Sequence, residues 1–144
     1  MTVAHAMWIH GHSMQIEYPE RVNRVQRKGF SVEVQSGGVA HNWFHFAIPT
    51  PVIVDGNRLT VGSVLIRFKS SGGAVVQAVH VYDGEIKIAA RDQLTLNPTN
   101  WHVERVDVPS NPEIRWGLGI SVQVGFGPDG GEIEFSAAGC DFKP

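Results

Sequence analysis

Cysteine is almost missing from this 144-residue chain, which has only Cys140. A single thiol excludes a disulfide framework and a multi-cysteine metal knuckle, and so close to the end of the sequence it reads as an inert packed group. No apolar run approaches the roughly 20 residues a membrane-spanning helix needs, so no membrane partner is expected. Neither charge sign dominates: 12 Lys and Arg stand against 14 Asp and Glu, for a net charge of −2. The scattered basic residues lack the concentrated footprint of a nucleic-acid binder. The chain has no G-x-S-x-G elbow and no P-loop, and no G-x-G-x-x-G opens a helix. Residues Met1 to Ala6 lack the charged-then-apolar pattern of a leader, which makes a cytoplasmic location the expectation. Helical periodicity is scarcest of all. The best candidate, Pro19 to Lys28, has only Val22 and Val25 as an apolar stripe.

What is present is alternation. In Trp116 to Phe126, "WGLGISVQVGF", Trp116, Leu118, Ile120, Val122, Val124 and Phe126 share one face. Glycine, serine and glutamine take the other, a strand pattern with period two. Phe30-Val32-Val34 and Val64-Ile66-Phe68 alternate in the same way. Asp83-Gly84 signals a hairpin into Glu85 to Ile88. Gly127 to Gly131 is a looser hairpin into Ile133-Phe135-Ala137, with Glu132 and Glu134 expected to face water. The 42% apolar content, with 16 Gly and 8 Pro clustered between apolar runs, fits roughly nine or ten short strands joined by turns. The expected fold is a single all-β domain over residues 1–144, an antiparallel two-sheet sandwich of jelly-roll type. A closed or flattened barrel is the alternative. The expected core is Phe30, Phe44, Phe46, Ile66, Phe68, Val79, Trp116, Leu118, Ile120, Val122, Val124 and Phe135.

Several segments together, "AMWIHG", "NWFHFAIPTPVIVDGNRL", "VHVYDGE" and "WGLGISVQVGF" followed by "IEFSAAGCDF", resemble a family of small bacterial single-domain proteins of unassigned function. That resemblance covers nearly the whole chain and implies a β-sandwich. It rests on apolar and turn residues and carries no mechanism.

Candidate chemistry concentrates in two stretches. His10-Gly11-His12 followed by Glu17 reads as H-x-H-x4-E and resembles the first motif of cupins. Alternate strand residues can aim two imidazoles and a carboxylate at one ion. The cupin pattern then fails, because only nine residues precede the motif, and Gly38 to Asn42 lacks the framework of a second one. In Trp8 to His12, Trp8, His10 and His12 share a face. In His41 to His45, His41, Trp43 and His45 share a face opposite Phe44, Phe46 and Ile48, which belong in the core. If the two strands were neighbours, four histidines and two tryptophans would pave one sheet face, and such exposed aromatic patches mark binding or assembly sites.

The plainest account, and the one the sequence favours, leaves Trp8 in the core and the histidines as separate solvated groups. Three functional readings compete with it. One is a non-catalytic platform for a small molecule or glycan, with Trp8, His10, His12, His41, Trp43 and His45 as ligand-binding residues. Another is an interface with a second copy of the chain. The third is a divalent-metal or acid–base enzyme site drawn from His10, His12, Glu17, His41 and His45. No other cofactor is implied and no catalytic residue is assigned. His80 and Tyr82 read as ordinary exposure near a hairpin, with a position beside a pocket as the alternative. The Asp-Gly pairs at 55–56, 83–84 and 129–130 read as turns before calcium loops. Arg21, Arg24, Arg27 and Lys28 read as a solvated, partly paired surface.

Overall fold

Alternating strands expose one apolar side each, and the stable solution is to press two such sides together. The computed structural model, which describes residues 3–144, has this arrangement. Its strands are β1 (His5–His10), β2 (Gln15–Ile16), β3 (Arg24–Lys28), β4 (Ser31–Ser36), β5 (Ala40–Ile48), β6 (Ile53–Val54) and β7 (Asn57–Arg58). They continue with β8 (Thr60–Gly72), β9 (Val75–Asp83), β10 (Ile86–Arg91), β11 (His102–Asp107), β12 (Leu118–Phe126) and β13 (Gly131–Lys143). One sheet has the order β11-β8-β13-β4-β3, with β1 also paired to β13. The other has the order β10-β9-β12-β5-β2, and β6 and β7 form a separate hairpin. Every strand pairing is antiparallel, and both sheets end in edge strands, so this is an open jelly-roll sandwich and not a closed barrel.

The layer between the sheets is aromatic at its centre. Phe135 of the six-stranded sheet meets Phe44 and Phe46 of the five-stranded sheet, with ring centroids 5.5 and 5.3 Å apart. Phe68, Ile66, Ile120, Val122 and Val124 close the layer around them, each at most 1% exposed. Burying such side chains contributes about 1.5–3 kcal/mol apiece, which outweighs the weak propensity of the glycines in β12. Cys140 is fully buried in the same layer, and burial pushes its thiol up to about 12. Among the described residues, no helix is long and apolar enough to cross a membrane.

Three expectations are corrected. Phe30 is 60% exposed and Trp116 is 71% exposed, so neither is core. Phe30 precedes the first paired residue of β4, and Trp116 precedes β12, whose ladder begins at Leu118. Parity therefore stops governing both side chains. Pro19 to Lys28, the best helical candidate and a poor one, has a single 3-10 turn, Pro19–Arg21, that leads into β3. Its arginines bond carbonyls, Arg21 to His41, and Arg27 to His12 and Met14. Glu134 does not face water. It is 7% exposed and accepts a hydrogen bond from Ser31, with Lys28 and Lys69 beside it.

Candidate functional site: the outward face of the five-stranded sheet

The outward side of a central strand is fixed as soon as its inward side is filled. On β5, Asn42, Phe44, Phe46 and Ile48 point inward, so Trp43 and His45 stand on the outer face, half-buried, with exposed His41 beside them. The antiparallel register sets their neighbours. His45 lies opposite Ser121 of β12, and Ser121 lies opposite His80 of β9. One row on, Ala47 faces Gly119 and Gly119 faces Tyr82. A bulge in β9 at Gln77 restores its inward alternation, so Val76, Val79 and Val81 are buried while His80 and Tyr82 face out.

These side chains are tied to one another. Nδ1 of His45 lies 2.7 Å from the Ser121 hydroxyl, and Nε2 lies 2.8 Å from a Glu17 carboxylate oxygen. Nε2 of His80 lies 2.7 Å from Asp92, and the His80 ring tilts against Trp43 with centroids 4.9 Å apart. His41 pairs with the Gln77 side chain at 2.9 Å. Gly125 makes room for that pair, since a Cβ there would stand 2.4 Å from the Gln77 amide nitrogen. Glu17 also holds the neighbouring Tyr18 hydroxyl above its ordinary pKa, chiefly by hydrogen bonding.

Glu17, Trp43, His45, His80, Tyr82 and Ser121 line a depression of about 370 Å³. His45, Tyr82 and Ser121 also line a second hollow of about 430 Å³, which continues over Ala47 and Gly119 to Gly84 and Gly117. A third, of about 480 Å³, lies where Gln77 and Gln123 meet residues 92–95. The first two share His45, Tyr82 and Ser121 and make one trough along the strand direction, while the third lies beside it, past the Asp92 that bonds His80. The lining of all three contains no lysine or arginine, and their formal charges are the carboxylates of Glu17 and Asp92.

The Glu17–His45–Ser121 line has the composition of a hydrolase relay, yet its surroundings are wrong for one. Ser121 stands mid-strand, with β12 paired on both sides, so the adjacent backbone N–H groups belong to the ladders. None is left to hold a developing oxyanion. What the arrangement does offer is a half-buried indole edged by oriented donors and acceptors, the means by which a protein holds an apolar ring face bordered by hydroxyls.

The two stretches singled out in the sequence do not meet as one surface. β1 pairs with β13, in the other sheet from β5. Trp8, 44% exposed, lies across Gly139, where a Cβ would come within 2.4 Å of the indole. His10 accepts a hydrogen bond from the His12 backbone N–H, and the His12 ring bonds the Lys28 carbonyl. Of the five metal candidates, Glu17 pairs with His45 and the His10 and His12 rings meet edge to face at 4.2 Å, but the two pairs stay apart and His41 joins neither. Among the described residues, no three His, Cys, Asp or Glu side chains converge as a metal centre. The structure also gathers groups the sequence did not join to the site: His80, Tyr82, Ser121, Gln77 and Asp92. Only the outward parity of His80 and Tyr82 was a readable signal.

A family model described as "Family of unknown function (DUF6623)" matches residues 2–139. No curated protein matches the chain. Among solved structures, it is similar to a low-affinity xylan-binding module from Roseburia intestinalis, with 11% identity, TM-score 0.55 and 97% of each chain covered. It is also similar to a family 29 carbohydrate-binding module complexed with cellulohexaose, at 9% identity and TM-score 0.55, covering 95% of this chain and 92% of that one. A third likeness is to a domain of a multidomain xylanase from the hindgut metagenome of Trinervitermes trinervoides, at 6% identity and TM-score 0.50, covering 94% and 96%. At such identities the likeness is one of fold.

Proposed function

The chain belongs to DUF6623, a family of unknown function, and from that premise we propose that it is a non-catalytic carbohydrate-binding module. It holds a neutral glycan on the outward face of the five-stranded sheet. Trp43, buttressed by His80, supplies the stacking surface, and His41, His45, Glu17, Ser121, Gln77 and Gln123 supply hydrogen bonds to hydroxyls. The observation that carries this reading is the aromatic and imidazole lining of an open trough without a cationic residue. An anionic ligand would meet Glu17 and Asp92 with no compensating positive charge. The fold likeness to a xylan-binding module and to a module complexed with cellulohexaose adds support.

Affinity gel electrophoresis against xylan, hydroxyethylcellulose, galactan and glucomannan tests it. Retardation by at least one polymer is expected, and Trp43→Ala should abolish it. No retardation by any of the four, or retardation that survives Trp43→Ala, would overturn the proposal. The aligned Glu17, His45 and Ser121 favour a second reading, a weak esterase. That reading requires hydrolysis of p-nitrophenyl acetate that Ser121→Ala removes. Without a free oxyanion donor, we expect none.

A further inference from the structure

Trp116 is the most exposed tryptophan described, yet a buried carboxylate holds the backbone beneath it. The Asp83 carboxylate, 5% exposed, accepts three backbone hydrogen bonds: from Arg115 at 2.9 Å, Trp116 at 2.8 Å and Gly117 at 3.1 Å. The Gly84 N–H closes the same turn on the Gly117 carbonyl at 2.8 Å, and Leu118 N–H donates to the Thr50 hydroxyl at 2.9 Å. Buried carboxylates that accept several N–H bonds hold a backbone strongly. A large apolar side chain left in water on so fixed a support is an unfavourable use of surface unless something covers it.

Its position says what that is. The indole packs on Gly84, where a Cβ would meet its Cδ1 at 3.1 Å, and Gly84 and Gly117 line the far end of the trough that holds Trp43. Trp43 lies opposite Gln123. From Gln123 back to Gly117 is a distance of about 20 Å at the rise of an extended strand. The floor between is low, made of Ser121, Gly119 and Ala47.

We infer that Trp116 is a second stacking position for the same ligand, which is therefore an extended, unbranched neutral chain spanning both indoles and not a single terminal sugar. The inference rests on the reading of this face as a glycan surface. A ribbon-like β-1,4 chain presents flat ring faces to a straight, shallow floor, whereas a coiled chain would lift off it.

Isothermal titration of the full chain and of Trp116→Ala with xylotriose, xylohexaose, cellotriose and cellohexaose tests the inference. The native protein should bind one of the hexasaccharides about tenfold more tightly than its trisaccharide, and Trp116→Ala should lose that gain with length. Because Trp116 is so exposed, the variant should melt with the native protein, and a thermal scan checks this. A native protein indifferent to length, or a variant that keeps the gain, would overturn the second position. If Trp43→Ala abolishes binding while Trp116→Ala changes nothing, only the second position falls. If the native protein binds none of the four sugars but is still retarded by one of the polymers, this inference falls and the glycan reading stands; if no polymer retards it either, both fall.

Discussion

Trp8 and Trp43 begin from almost the same local pattern, an indole alternating with two imidazoles on the outer side of a strand, and end in different chemistry. β1 runs along one side of β13 only, and its indole lies down on Gly139 while its histidines bond nearby backbone. β5 lies between β12 and β2, so its indole and imidazoles gain side-chain partners from both directions. A patch of aromatic and histidine residues becomes a candidate site where neighbouring strands add matched polar groups. On a flank with one neighbour it becomes packing. The difference lies in the number of paired neighbours, not in the residues themselves.

The sharpest way to break this contrast is to remove what anchors the far end of the Trp43 trough. Asp83→Ala leaves three part-buried N–H groups without their acceptor, and we expect a loss of about 3 kcal/mol in chemical denaturation. A loss below about 1 kcal/mol would mean the turn at Trp116 holds itself. Next come the indoles. Trp43→Ala should abolish measurable glycan binding, while Trp8→Ala should leave titration curves unchanged. Equal effects would erase the distinction between the two faces.

The two glycines beneath these surfaces give smaller signals of opposite kind. Gly139→Ala drives a Cβ into the Trp8 indole and should cost about 1–2 kcal/mol, with a red-shifted tryptophan emission and no change in glycan affinity. Gly125→Ala displaces the flexible end of Gln77, breaking its contact with His41. It should weaken binding by a few-fold at a stability cost below about 1 kcal/mol, read from parallel melts and titrations. The smallest effect is chemical. Cys140, beside Gly139 on β13, has a thiol pushed up to about 12 by burial, so native protein at pH 8 should not react with a disulfide reagent until denaturant is added. Rapid native reaction would show that the Trp8 side opens more readily than its packing implies.

Much of the fold was legible in advance because period-two alternation names the inward side of a strand wherever the strand is paired. Phe44, Phe46, Ile120 and Val122 are buried as that rule requires, and the hairpins at Asp83-Gly84 and Gly127 to Gly131 turn where their residues indicate. The rule failed where pairing had not begun, at Phe30 and Trp116. It also failed at Glu134, whose burial depends on Ser31 and Lys28 arriving from other strands. The outward direction of His41, Trp43 and His45 was readable for the same reason as the core. Their partners were not: Glu17, His80 and Ser121 lie 28, 35 and 76 positions from His45 in the chain.

By itself, then, the order of residues determined that strands would form, which of their faces would leave water, and where the chain would turn, because those outcomes follow from neighbours two to four positions apart. Which outward faces would lie side by side was decided only in three dimensions. Strand order sets it, and strand order depends on how two sheets close over a shared aromatic layer. That long-range choice set Trp8 apart from Trp43, and it brought a carboxylate, an imidazole and a hydroxyl into one line across two strands and the bend that follows β2.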